Sequence, residues 1–179
     1  MKELNDIKII QYNKKYKDLI NNFINESMFT FINRAYKKRE DVLNIEEYYL
    51  NNNGNFWIAL YNDQILGSIA LENRGNIGIL KRFYVDSDYQ NLGVGTSLYD
   101  TFETYVKNET NINTLYLACG QILNNAHKFY IKNGWIQIPK LEVEMHVAND
   151  DDFFKKNIYG EKYGTNYNVS TRIRYIIGC

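Results

Sequence analysis

Hydrophobic positions along the chain follow two rhythms, and the change between them separates a helical opening from a sheet. Lys8–Gln11 reads as a short first strand. Tyr16, Leu19, Ile20, Phe23 and Ile24 then recur at the three- and four-residue spacing of one helix face, and Phe29, Ile32 and Tyr36 continue that register. Residues 45–50 form another short helix, with Asn44 placed as its N-cap, and residues 51–55 break the pattern. From residue 56 the chain turns β-rich. Residues 56–61 and 65–71 are strands joined through Asn62-Asp63-Gln64, Arg74-Gly75-Asn76 makes a second turn, and Ile77–Val85 is a third strand.

A helix with Leu98, Phe102, Tyr105 and Val106 on one face follows, then a strand over residues 114–119. Residues 124–133 are helical, with Ala126, Phe129 and Tyr130 on one face and Gly134 as the C-cap, and residues 135–138 are a strand. Leu141, Val143, Met145 and Val147 alternate with Glu142, Glu144 and His146, the pattern of a half-buried strand. Residues 149–170 read as loop and residues 171–177 as a last strand. The order is helices, an antiparallel meander, then strand–helix–strand–helix–strand. It predicts an α+β fold on a mixed, mostly antiparallel sheet flanked by helices, as one domain over residues 1–179.

Composition narrows the function. The chain has 179 residues, 21 Lys plus Arg against 21 Asp plus Glu, and no net charge. That balance disfavours a nucleic-acid partner, which selects a basic face. It also weighs against a strongly cationic acceptor, which an acidic cleft would attract. No run is long and apolar enough to span a bilayer, and the polar start from Met1 to Asp6 is unlike a secretory signal, so a cytoplasmic location without membrane contact is expected. The two cysteines, Cys119 and Cys179, fit a reducing compartment. With two histidines, His127 and His146, they lack the spacing of a metal site, so no metal is expected. Cys119 reads as a small buried residue and both histidines as surface residues.

The candidate chemistry centres on Gln90-Asn91-Leu92-Gly93-Val94-Gly95-Thr96. This turn lies between a strand and an amphipathic helix, where backbone N–H groups without helical partners and the helix dipole favour an anion. No lysine follows as in a P-loop, and the third glycine of a dinucleotide fingerprint is missing. A bare Gly-x-Gly is also compatible with a simple tight turn.

Residues 80–85 followed by this turn resemble the Q/R-x-x-G-x-G/A acyl-CoA signature of the GNAT superfamily of N-acetyltransferases. Ala126-x-x-x-Tyr130-x-x-x-Gly134-Trp135 is similar to that family's second segment, and the likeness covers roughly residues 56–138. An asparagine frequent in the family three residues before the helix alanine is Leu123 here, with Asn124 and Asn125 beside it. The resemblance implies that acetyl-CoA is the co-substrate. It implies a sheet splayed where the pantetheine arm pairs with Phe83, Tyr84 and Val85, with the pyrophosphate on Leu92 to Thr96 and Gln90, Asn91, Asn124, Asn125 and Phe129 near the cofactor. It further implies direct attack by a primary amine of a small molecule or peptide, an oxyanion held by an N–H near Phe83, and Tyr130 as proton donor to the leaving thiolate. Tyr130 read from spacing alone is more often a core aromatic. Glu72, at a strand end facing the cleft, is a candidate base, although a strand-end carboxylate is more often simply solvated. A homodimer stays open. Two other readings do too: a non-catalytic acyl-CoA-binding sensor or regulatory module of the same fold, and a structural or interaction protein, although the latter explains neither motif.

Overall fold

The computed structural model describes residues 6–32, 38–145 and 151–159. Among these residues seven strands form one sheet: β1 (Lys8–Gln11), β2 (Asn55–Tyr61), β3 (Gln64–Asn73), β4 (Ile77–Val85), β5 (Thr114–Gly120), β6 (Ile136–Ile138) and β7 (Asp151–Asn157). They lie in the order β1-β2-β3-β4-β5-β7-β6. All neighbours are antiparallel except β4 and β5. Among the described residues, five α-helices flank the sheet: α1 (Lys17–Ile32), α2 (Glu40–Leu43), α3 (Ile45–Tyr48), α4 (Val94–Glu109) and α5 (Asn124–Lys132). The expected α+β architecture is therefore the one found.

The alternation of the strands builds two cores, one on each face of the sheet. Ile20, Ile24, Met28, Val42, Ile45 and Tyr49 of the first helices and the turn after α3 pack with Phe56, Ile58 and Ala70 on one face. Leu98, Tyr99, Phe102 and Val106 of α4 and Tyr130 of α5 pack with Trp57, Ile69, Leu80, Leu115 and Phe154 on the other. Each buried Leu, Ile or Phe removes apolar surface worth about 1.5–3 kcal/mol from water. The hairpin between β2 and β3 turns on two residues, Asn62 and Asp63, both at positive φ. That is the type I′ geometry which matches strand twist and suits Asn and Asp, so Gln64 belongs to β3 and not to the turn.

Four sequence expectations need correction. Asn44 precedes α3 but makes no side-chain cap; its amide instead lies 3.4 Å from Glu40 Oε2. Residues 141–145 are not a strand. Leu141, Val143 and Met145 are half-buried and Glu142 and Glu144 exposed, as their alternation indicates, yet among the described residues no strand pairs with them; the contact to their backbone is from the Arg74 guanidinium to the Glu144 carbonyl. The free side of β5 is taken instead by β7, inside the segment read as loop. His127 is half-buried, its ring edge-on to Phe154 at 5.1 Å and Nε2 3.2 Å from the Gly120 carbonyl. The expected strand at 171–177, and Tyr36, His146, Val147 and Cys179, lie outside the described residues.

Candidate active site

The site begins where the sheet opens. β4 and β5 share only three register pairs, Ile77–Thr114, Gly78–Leu115 and Ile79–Tyr116. Beyond them the two strands stay paired on their outer sides, β4 to β3 as far as Val85 and β5 to β7 as far as Gly120. Their inner edges from Leu80 and Leu117 onward therefore face a gap. Backbone donors and acceptors along such a gap suit an extended amide chain, which adds to a sheet edge as a strand does.

A bulge in β4 shapes that gap. Ser68 pairs with Tyr84 and Ala70 with Lys81, so Ile69 stands opposite both Arg82 and Phe83. Arg82 has φ +51, a conformation that costs a non-glycine residue on the order of 1–2 kcal/mol. The Ser68 hydroxyl donates to the Arg82 carbonyl at 2.7 Å, which draws that carbonyl toward β3. Across a planar trans peptide the next N–H points the opposite way. The N–H of Phe83 is thereby directed from β3 toward the gap.

The glycine turn stands at the gap's end. A short 3-10 turn follows β4, and the Gln90 amide donates to the Val85 carbonyl at 3.2 Å, tying the turn to the strand. Asn91 (φ 60) and Gly93 (φ 87) both adopt left-handed backbone, and Gly93 caps α4 with no atom within 4 Å of where a Cβ would sit. The first intrahelical bond at this end runs from the Ser97 N–H to the Gly93 carbonyl at 2.9 Å. N–H groups at the helix start precede that ladder and need an outside acceptor. No acidic side chain lies in the first turn to compete with an anion. Gly95 is close to β4: a Cβ there would meet Val85 at 3.4 Å and Phe83 at 3.7 Å. Leu92 and Thr96 are exposed beside it, and Val94 is anchored in the core.

Tyr130 closes the opposite side. It is 6% exposed. Its ring packs 6.3 Å from Phe83, 5.9 Å from Trp135 and 5.7 Å from Phe154. Phe129 meets Phe83 at 5.5 Å and Tyr99 at 5.3 Å. Helix α5 thus lays both rings over the strands that border the gap, while Asn124 and Asn125 sit exposed at its first turn. Burial, and the nearby Cys119, Tyr84 and Tyr99, push the Tyr130 phenol well above its ordinary 10, so it keeps its proton. Burial, with Asp151 and Asp152, pushes the neighbouring Cys119 thiol up to about 12.

Glu72 lies elsewhere, on the face of α1–α3. Its Oε1 is 2.5 Å from Arg74 and its Oε2 is 2.7 Å from Lys81. Burial raises its pKa, but these two cations outweigh burial and hold it below 4.5. A carboxylate so stabilised is a poor proton acceptor from an ammonium group, and this arrangement weighs against the base role. Reading the sequence missed Asp41 and Arg82, whose pairing depends on a bulge that no local pattern announces.

Relatives place these features in context. The family model described as Acetyltransferase (GNAT) family matches residues 20–135, more than half of the chain. A GNAT-family acetyltransferase of Staphylococcus aureus Mu50 is 32% identical, covering 85% of this chain and 99% of its own, with TM-score 0.77. An acetyltransferase of Streptococcus agalactiae 2603 is 25% identical over 86% and 99%, with TM-score 0.75. The PaiA N-acetyltransferase of Thermoplasma acidophilum, solved with coenzyme A, shares the fold at 20% identity over 85% and 99%, with TM-score 0.69. No curated protein is a significant match. With the opened sheet, the glycine turn and this family match together, the chain belongs to the acetyltransferase (GNAT) family, whose members transfer acyl groups from acyl-CoA.

Proposed function

We propose that the protein transfers an acetyl group from acetyl-CoA to a primary amine of a small molecule or peptide, by direct attack while both are bound. The observation that carries this reading is the opening of β4 from β5 after three register pairs, between the N-terminus of α4 and Tyr130. The gap's inner edges would hold the pantetheine amides, at Phe83, Tyr84 and Val85 on β4. The N–H groups from Leu92 to Thr96 would hold the pyrophosphate, with Gln90 and Asn91 shaping the turn. Asn124 and Asn125 at the start of α5 would flank the arm, and Phe129 would pack on it.

The residues then have distinct tasks. The Phe83 N–H would donate to the carbonyl oxygen as negative charge develops there. One such donor contributes roughly 3 kcal/mol in comparable sites. Tyr130 would donate its proton to the departing sulfur. The amine must be neutral to attack, against a free value of about 10.4 for a lysine amine. Solvent reaching the open side of the gap would take its proton, since Glu72 is committed to Arg74 and Lys81.

Calorimetric titration with acetyl-CoA, followed by thiol release across peptides, polyamines, amino acids and aminoglycosides, tests the reading. Binding plus amine-dependent thiol release is expected. Binding without turnover for any class would favour a sensor, and failure to bind acetyl-CoA would remove the proposal.

A further inference from the structure

The strained residue of the β4 bulge is held from outside the sheet. Without a bulge, strand alternation would send Leu80 to one face, Lys81 to the other and Arg82 back to the first. Leu80 does join the α4 core, and Lys81, opposite Ala70, faces α1–α3. Arg82, at φ +51, faces α1–α3 as well. Its guanidinium grips Asp41 of α2 with two bonds, Nε to Oδ2 at 2.8 Å and Nη2 to Oδ1 at 2.7 Å. Tyr49, itself only 1% exposed, donates its hydroxyl to the same Oδ2 at 2.5 Å. Arg82 Nη1 also lies 3.9 Å from the sulfur of Met28 on α1. The Arg82 carbonyl is fixed separately by the Ser68 hydroxyl. Side chain and carbonyl of one strained residue are thus each fixed, and the peptide that follows carries the Phe83 N–H.

We propose that Asp41 and Tyr49 are positioning residues for acyl transfer: through Arg82 they lock the bulge that aims the Phe83 N–H at the thioester oxygen. This inference rests on the acyltransferase reading above. The physical case is that a bidentate carboxylate–guanidinium pair fixes orientation as well as distance, and that strain persists at a working site only where surrounding contacts over-determine it. The pairing is firm: Arg82 holds the Asp41 carboxyl below its ordinary 3.8 despite burial, with help from Tyr49. The first helices, which cover the face opposite α4, are thereby coupled to the peptide that faces the reacting carbonyl.

Thiol release from acetyl-CoA with water as acceptor provides the test, because the same charge develops on the same oxygen and no amine need be known. In Tyr49→Phe the rate at saturating acetyl-CoA should fall about tenfold, and in Asp41→Asn roughly 10²-fold, the scale of a misaligned donor. The calorimetric Kd for acetyl-CoA should stay within about twofold of the parent in both, since the bond to that oxygen gains most of its strength as charge develops, while the pyrophosphate and the rest of the pantetheine arm carry the binding. Arg82→Lys, which keeps the charge and loses the fork, should fall with Tyr49→Phe. If Asp41→Asn does not fold, Tyr49→Phe and Arg82→Lys decide. Parent-like rates in the folded variants overturn the proposal while leaving the acyltransferase reading intact. So does a loss of rate that merely tracks a loss of binding and of melting temperature. A parent that neither binds nor cleaves acetyl-CoA overturns both.

Discussion

At the scale of single residues, the two signature glycines do different work. Gly93 needs its φ of +87 and has open space around it, whereas Gly95 has ordinary backbone and sits near Val85 and Phe83. Gly93→Ala should therefore weaken acetyl-CoA binding through backbone strain, on the order of 1–2 kcal/mol or about tenfold in Kd. Gly93→Asn, which tolerates left-handed backbone, should lose less. Gly95→Val should lose binding more steeply, because its branched methyls press α4 away from β4. Calorimetry on the three variants separates the causes, and equal losses for Ala and Asn would refute the conformational account. Tyr130→Phe keeps the ring packed among Phe83, Trp135 and Phe154, and among the described residues nothing hydrogen-bonds the hydroxyl it removes. Melting temperature and acetyl-CoA affinity should hold while turnover with an accepted amine falls roughly 10²-fold. A parent-like rate would return Tyr130 to the core.

At the scale of elements, legibility followed the strength of the local signal. Ile77–Val85, the Gln90–Thr96 turn and the Asn124 helix were readable because periodicity, turn residues and caps agreed on them. The last described strand was not. Asp151-Asp152-Phe153-Phe154-Lys155-Lys156-Asn157 shows only Phe154 fully to the core. Its charges are satisfied by distant partners instead: Lys155 by Glu142, Asp152 by Gln121, and Lys156 by Glu103, Tyr99 and the Asn133 carbonyl. Tertiary pairing of that kind leaves no alternation to read, whereas residues 141–145 alternate yet join no strand among the described residues. The bulge at Arg82 was hidden for a related reason, since its partner lies 41 positions away in sequence. Gly134 offers an element-scale check. It closes α5 at φ +81, and a Cβ there would make only ordinary contact with Lys156 at 3.8 Å. Gly134→Ala should thus cost backbone strain alone, about 1 kcal/mol, lowering the melting temperature by about 2–4 °C. A drop of that size in calorimetry, without loss of helical circular dichroism, is the expected result; no drop would mean that the cap is not strained.

At the scale of the whole molecule, ion pairs tie the layers together across the sheet, and they set its response to acid. Asp41 joins α2 to β4, Glu72 joins β3 to β4, and Glu103 joins α4 to β7, where Lys156 also meets the end of α5. In each carboxyl burial raises the pKa, but the partner cations outweigh it and hold the group below its ordinary value of 3.8 for Asp41 and 4.5 for the two glutamates. A carboxyl whose folded pKa is depressed stabilises the fold fully above its ordinary value, and that contribution is lost as pH falls through the depressed one. Melting temperature should therefore be flat from about pH 8 to about pH 6 and fall below about pH 4.5. Asp41, its side chain 12% exposed, should contribute more than the half-exposed Glu142, whose pairing with Lys155 is screened by water. Glu103→Gln isolates one contribution, because it keeps the shape and removes the charge that Lys156 and Lys107 share. The variant should melt below the parent near neutral pH, and the gap between the two curves should narrow as pH falls below 4.5 and through the parent carboxyl's depressed pKa, where that carboxyl also takes up a proton. Curves that stay parallel throughout the acid transition would show that Glu103 acts through packing, and that the α4–β7 tie is not electrostatic.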